Sequence, residues 1–144
     1  MGSPVCGDLL ALPVRTQGIE VGRTIEVVLD LEAGRVLGLE VRCGDGVDRF
    51  VPLVAARVQD AEITLASPLT LLDEVAFYRA RGRTLGSLRG AEVTSATGPL
   101  GSLRDVALGT EGEVRELVVA APSGELRVRP GADVRVAAPR ASAA

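Results

Sequence analysis

Four groupings in this 144-residue chain carry residues that could do chemistry. The first is "EAGRVLGLEV", with three residues between Gly34 and Gly38. A phosphate cradle needs glycine backbone N–H groups at a helix N-terminus. The spacing here is neither GxGxxG nor GxxxxGK[ST], and the residues that follow alternate like a strand. Gly34 therefore reads as a hairpin turn. The second grouping is Glu26 with Asp105, two carboxylates that could act as general acid and base. The preferred alternative is that each accepts backbone hydrogen bonds or pairs with an arginine. The third is Cys6 and Cys43. With no histidine in the chain, neither thiol has its usual activating base, and neither has the CxxC or Cys/His company of a zinc site. Cys43 reads as a small buried hydrophobe at a strand end. The fourth is Arg79, Arg81, Arg83 and Arg89 in "YRARGRTLGSLRG". Guanidinium forks at that density could contact phosphate or an acidic protein face. The preferred alternative is a solvated linker, some of whose arginines pair with the acidic first half of the chain. The expectation is a non-enzyme with no cofactor and no metal.

Composition supports a core without rings. Hydrophobic residues make up 47% of the chain, yet Phe50, Phe77 and Tyr78 are its only aromatic residues. Aliphatic, β-branched material of this kind favours strands. No run of 18 apolar residues exists to span a membrane. The first fourteen residues lack a basic start and a long apolar run, so no secretory leader is read there, and a cytoplasmic location with free thiols is expected. All sixteen basic residues are arginine, and the net charge is −3. That charge is polarised: residues 1–78 hold 6 Arg against 12 acids, and residues 79–144 hold 10 Arg against 7. Such a chain can dock head to tail or place its basic half on an anion.

The elements that would position these residues come in two copies. "VGRTIEVVLDLEAGRVLGLEV" lies over "LGSLRDVALGTEGEVRELVV" at an offset of 79, changing to 78 after one skipped residue near Ala33. Gly22 then matches Gly101, Glu26 matches Asp105, Gly34 matches Gly112, and Pro52 matches Pro130. Ile25, Val27 and Leu29 alternate with polar residues at a period of two, as do Leu37, Leu39 and Val41. "LEAG", "GDG" and "PSG" supply the turns, prolines stop the third strands, and "EITLA" and "DVRVAA" supply closing strands. Between the copies, spacing predicts a short helix from about Asp73, as N-cap, to Arg81, ended by Gly82. Phe77 and Tyr78 would anchor it to a sheet. The expected units are a first repeat over 1–70, a linker over 71–90, a second repeat over 91–138, and a fraying tail over 139–144.

The repeat unit resembles the PRC-barrel domain, a family found in the cytoplasmic part of the photosynthetic reaction centre H subunit and at the C-terminus of ribosome maturation factors. Gly101, Asp105-Val106 and Gly112 carry the likeness in the second copy, and Gly22, Glu26-Val27 and Gly34 in the first, with Glu for the usual Asp. Arg104 and Arg115 stand where the first copy has Ile25 and Leu37. The resemblance implies an all-β fold of two small PRC-type barrels related by internal duplication, with a short connecting helix. It also implies a non-catalytic adaptor or structural module. The expected partner is a protein, or a second copy in a homodimer. The alternative is RNA or a ribonucleoprotein bound through the arginine-rich linker, which the scarcity of aromatic platforms disfavours.

Overall fold

Residues 4–137 are described by a computed structural model. The alternating runs form strands, and the strands form two curled sheets. In the first, β1 (Pro13–Thr16), β2 (Ile19–Asp30), β3 (Arg35–Cys43) and β4 (Asp48–Pro52) make an antiparallel meander. β5 (Ala56–Val58) and β6 (Ile63–Leu65) return to close it, β6 lying parallel to β1. Helix α1 (Val75–Arg81) follows, then the two-residue strand β7 (Arg83–Thr84) and the single turn α2 (Leu85–Leu88). β8 (Glu92–Ser95), β9 (Gly98–Leu108), β10 (Val114–Ala121) and β11 (Gly124–Val128) form the second meander, and β12 (Arg135–Val136) pairs back onto β8. The fold is mostly β, in two small barrel-like halves.

The two long hairpins bend at the same places. The β2–β3 ladder slips one residue at Ile25 and one at Leu37. The β9–β10 ladder slips at Arg104 and Arg115, the counterpart positions. An extra residue in a strand forms a bulge, which turns its side chain away from the regular alternation and bends the sheet. That explains how arginine can replace isoleucine and leucine there: Arg104 and Arg115 are exposed, while Val106, Leu108, Leu117 and Val119 are buried just as Val27, Leu29, Leu39 and Val41 are. Gly22 and Gly101 also have a shared cause. A Cβ on Gly22 would lie 2.5 Å from the Arg42 carbonyl, and one on Gly101 would run into the carbonyl of Ala120, the counterpart of Arg42.

One apolar core runs through both halves. It draws Val27, Leu29, Leu39 and Val41 from the first sheet and Val93, Leu103, Val106 and Val119 from the second. The halves meet at their turn glycines in reciprocal fashion. The Val36 N–H donates to Gly112 O and the Val114 N–H donates to Gly34 O, each at 2.8 Å, around the bridge of Arg35 with Glu113. Gly34 and Gly112 take left-handed φ of 69° and 82°, where a side chain is strained.

The segment leading into each half crosses to the other. Thr84 and Arg83 pair with Val28 and Leu29 on the first sheet. Val5 bridges Ala107 on the second, and the Leu108 N–H donates to Pro4 O. The turns that follow, Cys6–Leu9 and Leu85–Leu88, bury Cys6, Leu9, Leu85 and Leu88 in the core. These pairs are again 79 residues apart, so the register of the repeat extends upstream of where alternation alone reveals it. The segment over 83–90, expected to be linker, is thus built into the fold.

Three local expectations differ from the structure. α1 begins at Val75, and Asp73 does not cap it; its carboxylate instead accepts from Arg49 Nε at 3.2 Å. The β10–β11 hairpin is tighter than β3–β4, because Ala121 pairs with Gly124 across a two-residue turn. That moves β11 by one position, so Arg127, and not Val128, holds the ladder place of Phe50. The closing strand read in "DVRVAA" is only Arg135–Val136. The expected tail over 139–144 lies outside the described residues.

Candidate functional site

Glu26 and Asp105 occupy matching places, and each accepts backbone hydrogen bonds. Glu26 Oε1 accepts from the Val27 N–H at 3.0 Å and from the Gly86 N–H at 3.2 Å. Asp105 Oδ1 accepts from the Val106 N–H at 2.8 Å and from the Gly7 N–H at 3.0 Å. Each carboxylate ties its own strand to the turn that crosses over from the other half. Gly7 and Gly86 were not singled out in the sequence. The 79-residue offset that matches Gly22 to Gly101 also matches Gly7 to Gly86, so extending it upstream finds both. A Cβ at either position would press on the carboxylate it faces.

The structure places the four linker arginines apart from one another in role. Arg79 grips Glu40, with Nε to Oε2 at 2.5 Å and Nη2 to Oε1 at 2.7 Å. Glu40 is 1% exposed, so this is a two-pronged ion pair with a buried carboxylate. Arg81 lies over the Phe77 ring, 4.2 Å from its centroid. Arg83 donates to Ala137 O, its Nε is buried without a partner, and burial lowers its pKa from the ordinary value. Arg89 donates to Arg104 O and to Asp105 Oδ2, at 3.1 and 3.2 Å. Tyr78 anchors α1 as expected, stacking on Phe50 at 3.8 Å with planes 11° apart. Phe77 meets Tyr78 edge-on and remains about half exposed.

Cys6 is fully buried in the core, near Asp105 and Arg89. Burial, and then the neighbouring Asp105 charge, push its thiol up from 9.0 to about 12, with Arg89 opposing. Because the folded value lies above the unfolded one, the stability this gives is full below about pH 9 and is lost as pH rises towards 12. Cys6 should therefore stay unlabelled by an aromatic disulfide reagent at pH 8 in the folded protein and react fully in denaturant. Peptide mass spectrometry reads this directly, and rapid labelling of Cys6 in the native state would contradict the burial described.

Surface grooves remain open among the described residues. An apolar groove of about 690 Å³ lies where the halves meet, lined by Leu53, Val54, Ala56 and Val58 against Leu108 and Gly112. Its counterpart, about 660 Å³, is lined by Gly34, Arg83, Pro130, Val134 and Val136. A third groove of about 650 Å³ lies on the second sheet, bordered by Arg89, Arg104, Asp105, Val118, Glu125 and Arg127. Val54 and Leu69 are more than four-fifths exposed.

A meander of bulged strands closed by a short return hairpin, with a carboxylate pinning a glycine turn, defines a small barrel-type β module. A family model for the PRC-barrel domain matches residues 6–71, so the first half contains a PRC-barrel domain. No curated protein matches the chain. The matched span begins at Cys6, at the crossing turn, and ends as the chain leaves the first sheet. Among the described residues, no helix is long and apolar enough to cross a membrane, and no group of three potential ligands could hold a metal ion.

Proposed function

We propose that the chain is a non-catalytic, cytoplasmic PRC-barrel adaptor or structural module that binds a protein partner through aliphatic surface and sheet edges. We further propose that its second half, beginning near Arg83, is a second unit of the same descent as the first. The matching bulges, turn glycines and crossing turns support that descent. The observation that carries the function is the division of labour among side chains. Glu26, Asp105, Arg79 and Arg89 all commit their polar atoms to contacts that hold the chain together. Among the described residues, the features left open include Val54 and Leu69, the groove beside Val54, and an unpaired strand edge. An exposed apolar patch of this kind marks an interaction surface. The RNA-binding alternative has less support, because Arg79, Arg83 and Arg89 are engaged within the chain.

The test is crosslinking of the tagged full chain in its native cells, with sedimentation of the purified protein. A reproducible protein adduct, reduced about fivefold by Val54→Glu, is expected. Sedimentation then decides whether the partner is a second copy. Capture of RNA alone, or no macromolecular adduct under any crosslinker, would overturn the proposal.

A further inference from the structure

The two sheets differ on one face. In the first, Leu72 covers the outer edge of β4: the Phe50 N–H donates to Leu72 O and the Leu72 N–H to Phe50 O, both at 2.8 Å. α1 then folds back across the face, placing Tyr78 on Phe50 and Arg79 on Glu40. In the second sheet β11 is the terminal strand, and no strand among the described residues pairs with its outer edge. Arg127 stands opposite Val118 as Phe50 stands opposite Glu40, and Val118 and Glu40 stand in turn opposite Asp105 and Glu26. The backbone of Arg127 is therefore the counterpart of the one that Leu72 covers. Over the same face lies the 650 Å³ groove, the place that α1 fills in the first half.

We infer that this face of the second sheet docks an extended acidic segment of a partner protein, which adds as a strand to β11 and turns its carboxylates to Arg104 and Arg127. The molecule contains its own precedent for the geometry, since residues 71–81 occupy the matching face of the first sheet. The charge differs between the two: the groove on the second sheet is lined by Arg89, Arg104 and Arg127 against Asp105 and Glu125, three positive groups to two negative. Where the first face has Ile25, Glu40 and Phe50 and receives the guanidinium of Arg79, the second has Arg104, Val118 and Arg127. Arg104 is exposed, and Arg127 touches Glu116 and Glu125 only at 3.6 and 3.7 Å across solvent-exposed pairs, which contribute little and exchange readily. Main-chain bonds at a free edge supply affinity, and alternate side chains supply selectivity. An edge left open is also a hazard that folded chains ordinarily cover. The inference rests on the adaptor reading and specifies one partner chemistry for it.

The probe is a fluorescein-labelled eight-residue peptide of alternating Glu and Val, with a Lys and Val peptide as control. Anisotropy against the full chain should give about tenfold tighter binding of the acidic peptide, weakening as salt rises. Hydrogen exchange should slow in 124–128. The double variant Arg104→Glu, Arg127→Glu changes two exposed side chains, so its circular dichroism should match the parent while acidic-peptide binding falls at least about tenfold. Equal binding of both peptides, or slowed exchange only elsewhere, overturns the inference. So does protection of 124–128 in the free chain that depends on concentration, which assigns the edge to a second copy, or that disappears when 138–144 are removed, which assigns it to the chain's own tail. If crosslinked partners map to other faces, this inference fails while the adaptor reading stands; if no macromolecule is captured, both fail.

Discussion

A fragment ending at Gly82 is expected to be unstable as a monomer and to recover order only by pairing with a second copy. Cutting there removes Arg83–Leu88, the segment that crosses onto the first sheet. β2 loses its partners at Val28 and Leu29, Glu26 loses the Gly86 N–H, and the core loses Leu85 and Leu88, both fully buried. Two buried leucines alone contribute roughly 3–6 kcal/mol, against a total stability of about 5–15 kcal/mol for an ordinary domain. The same fragment retains Val5–Leu9, which in the full chain lies on the second sheet in the matching way. In a homodimer, that segment of each copy can lie on the other copy's β2. The reciprocal bonds now made between Val36 and Gly112, and between Val114 and Gly34, would then run between Val36 of one copy and Gly34 of the other. Cys6 is smaller than Leu85, so the refitted core would be underpacked, and Cys6→Leu should strengthen the dimer. Sedimentation equilibrium with circular dichroism across concentrations checks this. A stably folded monomer of the fragment at micromolar concentration would show that the crossing segment does not hold the first sheet together.

Replacing Arg79 by alanine should be the most damaging single change on the surface of α1. Arg79 is half exposed, and removing an exposed arginine is ordinarily mild. Here it leaves Glu40, 1% exposed, with no guanidinium on either oxygen. Breaking a buried pair from one side costs about 3 kcal/mol or more because an uncompensated carboxylate remains. For a chain of this size that corresponds to roughly a 10 °C fall in Tm. The cause is the stranded charge and not lost packing of α1, so Glu40→Gln in the Arg79→Ala background should restore more than half of the loss. Thermal unfolding of the two single variants and the double variant gives the coupling energy. A loss below about 1 kcal/mol for Arg79→Ala, or no recovery in the double variant, would mean that water reaches Glu40 and solvates it.

Much of the fold was legible because strand alternation is local. Val27, Leu29, Leu39 and Val41 announce the buried face by their spacing alone, and turn glycines mark both long hairpins. The bulges were half legible: Arg104 and Arg115 looked like departures from the pattern, and their meaning required the ladder register. The crossing turns could not be read from periodicity. "CGDL" and "LGSL" are too short to show a helical face, and their partners lie about 100 and 60 residues away. The roles of the linker arginines were hidden for a related reason. Clustering in sequence suggested a shared surface, but the backbone sends Arg79 to Glu40, Arg83 to Ala137 and Arg89 to Asp105. The one-residue shift at β11 arises from a tighter turn, which composition does not encode.

The crossing of Val5 to Ala107 has a consequence for how the chain comes to be made. During synthesis the first sheet emerges while its own covering segment, Arg83–Leu88, is still inside or near the exit tunnel, and Val5–Leu9 has no β9 to rest on. The nascent first half must wait, with a greasy strand face uncovered, until Arg83–Leu88 and β9 have been translated. Pairings of such long sequence separation close slowly, and an unpaired strand waiting for them is exposed to aggregation. Holdase protection of the growing polypeptide, and one concerted collapse once both halves have emerged, follow from that single exchange.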